Sequence, residues 1–175
     1  MTETNRSRRN RSDAGGSPPA GAAMDAALRM LARRALSEAE IRERLEKKGF
    51  PDGQAQAVIG RLRELGLADD PGLCARLARY CRETRGYGPA KAAWFLRARG
   101  FPRELVEEAV RGSRSPEEEE ASASAVLRKK FRGVLPPGRE GAARAYRFLA
   151  GRGFSPGASR RAIGGLTKAI REGED

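Results

Sequence analysis

Leu45-Glu46-Lys47-Lys48-Gly49-Phe50-Pro51, Leu96-Arg97-Ala98-Arg99-Gly100-Phe101-Pro102 and Leu149-Ala150-Gly151-Arg152-Gly153-Phe154-Ser155 are three versions of one heptapeptide. Their fifth residues, Gly49, Gly100 and Gly153, stand 51 and 53 residues apart. A Gly that follows a helical run can take the left-handed conformation that ends the helix. The Phe behind it can pack back on that helix, and Pro or Ser can open the next one. The chain therefore reads as a repeat of helical units, each turning at a Gly-Phe corner.

The register holds on both sides of the corner. Twelve residues before each Gly stands a candidate N-cap: Ser37, Gly88 or Gly141. Ser37 has Glu40 three residues on, a capping box, and Gly88 is followed by Pro89, which suits a first helical position. Between cap and corner lie Ile41 and Leu45, Ala92 and Leu96, and Ala145 and Leu149. Each pair is spaced i, i+4, one face of a helix. Ten residues after each Gly comes Ile59, Val110 or Ile163, the same apolar contact in the following helix.

A further helix precedes each cap. The first carries Leu28, Leu31 and Ala32 on one face, and the second carries Leu73, Leu77, Tyr80 and Cys81. The third opens at Ser115-Pro116-Glu117-Glu118 and runs through Ala125, Val126 and Leu127 to Phe131. The acidic run Glu117 to Glu120 then sits where the helix dipole favours negative charge. Asp69-Asp70, ahead of Pro71, can cap the second. The expected architecture is all-α: three tandem three-helix repeats (26–68, 69–112 and 113–171) stacked as an elongated curved array. Residues 1–25, rich in Arg, Ser, Gly, Pro and Ala without periodicity, are expected to form a disordered basic tail.

Composition narrows the chemistry. The 175 residues carry a net charge of +12 and no His. The commonest general base and metal ligand is therefore missing, and the charge favours polyanionic partners. Cys74 and Cys81, two thiols alone, make a poor metal site. They read as buried residues of a reducing compartment. No apolar run approaches a membrane span, and no apolar segment follows the early arginines as a secretory leader requires. No catalytic residue, metal or cofactor is expected.

Three stretches, ALRMLARRALSEAEIRERLEKKGF (27–50), VIGRLRELGLADD (58–70) and RETRGYGPAKAAWFLRARGF (82–101), follow one another as in the RecX family, which the chain resembles over about Ala26 to Leu166. The set Asp70, Arg85, Gly88, Pro89, Lys91, Leu96 and Gly100 carries most of that resemblance, with Ser37, Glu40, Leu45 and Gly49 in support. Where the family usually shows an aromatic residue and Ala after Asp70, this chain has Leu73 and Cys74, which keep the face apolar. The resemblance implies tandem three-helix repeats without catalysis. It also implies a cytoplasmic partner of the RecA protein that lodges in the groove of the RecA filament on single-stranded DNA. There it would restrain strand exchange, ATP hydrolysis and coprotease activity, in DNA recombination, repair and the SOS response. A monomer is expected, with double-stranded DNA as a secondary ligand. A general DNA-binding or architectural helical protein without a recombinase partner is the alternative.

The candidate contacts are cationic and aromatic. Arg85-Gly86-Tyr87-Gly88-Pro89-Ala90-Lys91 brings two cations to a helix N-terminus, where backbone N–H groups favour an anion, though a plain interhelix turn reads as well. Trp94 stands where the other units have Glu43 and Arg147, so it faces solvent to meet a base or partner, or else packs on the adjacent unit, the reading slightly preferred. Between 121 and 171 twelve basic residues face one acid, Glu140. Arg128, Lys129, Lys130 and Arg132 surround one helix end there, and Arg152, Arg160 and Arg161 flank the Gly153 corner. An unneutralised cluster repels itself, so it points to a polyanion. In the first unit the cations are interleaved with Glu at helical spacing and read as a salt-bridged face.

Overall fold

The computed structural model describes residues 20–111, 115–132 and 138–172. Among them every regular element is an α-helix: α1 (Ala20–Leu31), α2 (Glu38–Glu46), α3 (Asp52–Glu64), α4 (Asp70–Glu83), α5 (Pro89–Ala98), α6 (Arg103–Arg111), α7 (Pro116–Phe131), α8 (Gly138–Gly151) and α9 (Pro156–Glu172). They pack in threes, α1–α3, α4–α6 and α7–α9, around three separate apolar cores. Ile41, Leu45, Leu96, Ala145 and Leu149 are fully buried and Ala92 nearly so, as the i, i+4 spacing predicts. Phe50, Phe101 and Phe154 are buried behind their corners, where Gly49, Gly100 and Gly153 take φ of 85°, 79° and 80°.

The caps follow the sequence at two of three middle helices. Ser37 closes a capping box with Glu40 on α2, and Gly88 caps α5 ahead of Pro89. Ser115 closes a third box with Glu118 on α7. Gly141, by contrast, lies inside α8, which begins at Gly138. Gly141 has neither the side-chain oxygen of Ser37 nor, as Gly88 has in Pro89, a following Pro to mark the first helical position. The cap of α4 is Asp69, whose Oδ1 accepts from the Gly72 N–H at 2.9 Å. Asp70 turns instead to the first unit.

α1 differs from expectation in extent and face. It begins at Ala20, within the stretch assigned to the tail, and buries Ala23, Ala26 and Ala27. Leu28, expected inward, is 40% exposed, and Ala32 is exposed too. Small residues at i, i+3 and i+4 let the helix approach α2 and α3 closely, and that close packing takes precedence over burying one Leu. On α4, likewise, Cys74 and Ala78 replace Tyr80 on the buried side.

The units meet through one repeated joint, in which the corner after a middle helix docks on the start of the middle helix before it. In the first joint the Ser37 hydroxyl donates to the Arg99 carbonyl at 2.5 Å. The Arg99 guanidinium reaches back to the Ala35 carbonyl at 3.0 Å and the Glu40 carboxylate at 2.6 Å. Arg34 holds the other oxygen of Glu40 at 2.8 Å. Asp70 accepts the Glu38 N–H at 3.0 Å. In the second joint the Gly88 N–H donates to the Arg152 carbonyl at 2.7 Å and the Ala90 N–H to the Gly153 carbonyl at 3.1 Å. Arg152 reaches back to the Arg85 carbonyl at 2.7 Å. Here backbone takes over from the missing hydroxyl, and a Cβ at Gly88 would collide with the Gly153 backbone.

The first joint is open to two tests. A Cβ at Gly100 would collide with Ala39, whereas one at Gly49 meets nothing. Gly49→Ala should therefore cost only left-handed strain, about 1 kcal/mol, and Gly100→Ala a further ~1–3 kcal/mol of overpacking; denaturant unfolding of both variants measures the difference. Burial opposes ionisation of Glu40, but hydrogen bonds from Arg99, Arg34 and the Ser37 N–H outweigh it and hold its pKa at about 2, against 4.5 for a free side chain. A depressed carboxylate stabilises the fold at pH above the unfolded value and loses that contribution as pH falls toward the folded one. Stability should thus decline from about pH 4.5 to pH 2, and Glu40→Gln should flatten that part of the pH–Tm curve.

Candidate anion-binding interface

The second joint opens on one side into a cleft of about 770 Å³ between the last turn of α4 and α7–α8. Its walls carry Arg82, Arg85, Lys129, Lys130, Arg132 and Arg152 against a single acid, Glu83. All of these cations except Arg82 are candidates from the sequence, drawn from stretches far apart in the chain. Each owes its place to a local cause. Arg82 and Arg85 leave the end of α4, where cations suit the dipole. Lys129 and Lys130 occupy the last turn of α7, and Arg132 ends that helix in the left-handed region at φ 53°. For a residue with a Cβ that backbone is strained by about 1–2 kcal/mol. Arg152 is held by the corner it belongs to.

An aromatic floor supports the cations. The Lys130 ammonium lies 5.8 Å and the Arg152 guanidinium 5.0 Å from the centre of the Phe148 ring. Phe131 meets the same ring edge-on at 6.1 Å. Beside the cleft, Tyr87 lies between Arg85, 5.3 Å from its ring centre, and Lys91 at 5.0 Å. Arg85 also donates to the Tyr87 hydroxyl at 2.9 Å, and Lys91 donates to the Gly151 carbonyl at 3.0 Å. The structure thus gathers Arg85, Tyr87, Lys91, Lys129, Lys130, Arg132 and Arg152 at one joint.

The other candidates lie elsewhere. Arg128 and Arg160 are exposed and line no part of the cleft. Arg161 bonds Glu120 at 2.6 Å and the Pro116 carbonyl at 3.3 Å. The acidic start of α7 folds back on α9 here, so part of the charge excess read from residue 121 onward is neutralised from just outside that window. Glu119 likewise accepts the Ser155 N–H and hydroxyl. Trp94 is 63% exposed rather than packed on the neighbouring unit. The joint is made by the corner and the helix start, and Trp94 lies on neither. Sequence reasoning missed Arg82 and Phe148. Arg82 was legible as the i−3 neighbour of Arg85, whereas Phe148 is placed by a joint that no local pattern encodes.

The arrangement suits ionic recognition. Guanidinium groups grip phosphate or carboxylate through paired N–H donors, and a row of them selects polyanions. Among the described residues no group of three or more His, Cys, Asp or Glu gathers to hold a metal. Burial, aided by the nearby Asp70 charge, pushes the Cys74 thiol up to about 11, and burial raises Cys81 as well. Neither thiol is then a ready nucleophile. No described helix is long and apolar enough to cross a membrane.

Known proteins share both sequence and fold with this chain. Residues 23–62 match the first three-helix domain of RecX and residues 117–163 the third. A regulatory protein RecX of Thermus thermophilus is 43% identical over 133 residues, 75% of this chain and 82% of that protein. The regulatory protein RecX of Deinococcus radiodurans is 38% identical over 128 residues, 73% of this chain and 60% of that longer protein. The crystal structure of RecX from Lactobacillus salivarius superposes with a TM-score of 0.74 at 18% identity, covering 85% of this chain and 96% of that one, a likeness of fold.

Proposed function

The chain belongs to the RecX family, and from that membership we propose that it binds the RecA protein and its filament on single-stranded DNA in the bacterial cytoplasm. Bound there, it restrains strand exchange, ATP hydrolysis and coprotease activity, and so acts in recombination, repair and the SOS response. It works as a binder and not as a catalyst. The absence of His and the protonated, buried thiols support this assignment. The observation that carries the reading is the cationic cleft at the second joint, where six basic side chains face one acid. A strand of phosphates or an acidic protein face neutralises such a cleft, and three units in line spread many weak contacts along a filament groove. The chain acts as a monomer, and double-stranded DNA is a weaker ligand than a single strand.

Two experiments test this. Added to RecA on single-stranded DNA, the protein should slow ATP hydrolysis at substoichiometric amounts and hydrolyse nothing itself; an unchanged RecA rate at equimolar protein removes the proposal. DNA binding with no effect on RecA would instead favour a general DNA-binding protein. The variant Lys129→Ala/Lys130→Ala/Arg132→Ala should remain folded and bind single-stranded DNA or the filament more weakly. Its slope of log affinity against log salt should flatten by roughly 0.7 for each phosphate it no longer neutralises. A matched Arg42→Ala/Arg44→Ala/Lys47→Ala variant, in the first unit, should change neither.

A further inference from the structure

The two joints are equivalent residue by residue, except at their centres. Counted from the caps Ser37 and Gly88, Arg34 corresponds to Arg85, Ala35 to Gly86 and Glu40 to Lys91. Counted from the corners, Arg99 corresponds to Arg152. The two joints share the backbone contact. Arg99 donates to the Ala35 carbonyl at 3.0 Å, and Arg152 to the matching Gly86 carbonyl at 3.4 Å. They do not share the ionic one. In the first joint Arg34 and Arg99 close on the Glu40 carboxylate from two units. In the second joint Arg85 and Arg152 stand at the same register positions, and the position of the carboxylate is held by a third cation, Lys91. Among the described residues Arg85 bonds the phenols of Tyr87 and Tyr80, while Lys91 and Arg152 donate to carbonyls. A guanidinium has five donors, so donors remain for an anion that the chain does not supply.

From this geometry we infer that the second joint is a phosphate-binding site, in which a phosphodiester of a single-stranded nucleic acid takes the place that Glu40 holds in the first joint. Two arginines satisfy one carboxylate at the first joint. Three cations at the corresponding positions of one joint suit a group with more acceptor oxygens, bound from outside. Lys129, Lys130 and Arg132 continue along the cleft from Arg152, and a row of cations matches successive phosphates better than one acidic side chain. The ligand then bridges the second and third units, so binding also fixes their relative placement. The first joint carries its own anion and is closed whether or not a strand is present. This inference deepens the filament-binding reading by naming the group the joint takes, and it rests on that reading only for where such a strand is met.

The test is to supply the anion in the chain. Lys91→Glu in the full-length protein rebuilds at the second joint the Arg–Glu–Arg arrangement of the first, and Lys91→Gln removes the cation while keeping a donor for the Gly151 carbonyl. Binding of a labelled oligothymidylate and thermal unfolding are measured for both, with inorganic phosphate as a competitor. The expected result is that oligothymidylate raises the wild-type Tm. Lys91→Gln should bind it more weakly, with a salt slope shallower by roughly 0.7. Lys91→Glu should lose about tenfold or more in affinity and yet melt above Lys91→Gln. Wild-type affinity in either variant overturns the site. A Lys91→Glu protein no more stable than Lys91→Gln overturns the equivalence of the joints. Protection by inorganic phosphate without any by oligothymidylate overturns the assignment to a strand. RecA inhibition lost while oligothymidylate binding is intact means that the joint takes a protein carboxylate, and the phosphate assignment fails. Oligothymidylate binding lost while RecA inhibition persists supports the site and shows that the filament is held elsewhere.

Discussion

Everything in this molecule hangs on the docking of a helix corner onto the start of another helix. A helix start offers N–H groups with no partner in the helix, and a helix end offers carbonyls in the same condition. Each joint brings the two together, by a hydroxyl at Ser37 and by backbone N–H groups at Gly88 and Ala90. The cores lie inside the units and fix each unit alone. The joints align the units, and they place side chains from distant parts of the sequence at one point.

Much of the architecture was legible because it is periodic. The pairs Ile41 and Leu45, Ala92 and Leu96, and Ala145 and Leu149 declare their face by spacing, and the Gly-Phe corners declare their turns by the backbone that only Gly adopts cheaply. Legibility failed where small residues carry the packing. α1 buries alanines and leaves Leu28 out, because close approach of helices outweighs one side chain. It failed again at Gly141, where the repeat register predicts a cap but no Pro follows, as Pro89 follows Gly88, to fix the helix start.

The candidate site was half legible. That Lys129, Lys130 and Arg132 are cationic and unneutralised can be read from composition. That they face Arg85 and Arg82 across a cleft depends on the joint, a relation between residues far apart in the chain. Arg161 shows the opposite error. Its charge is real, but Glu120 pairs with it across the unit, a partner invisible to any count that starts at the next residue.

The early start of α8 at Gly138 makes the third unit differ from the other two at the position where a corner docks. At the equivalent of Ser37 and Gly88 the third unit has Gly141, which is the fourth residue of α8 and is buried there. A corner arriving there would find the flank of a helix instead of its open end. The register position that receives a corner in the first two units is thus enclosed within a helix in the third, so the three units are alike in their cores and unlike in the surface they offer a neighbour.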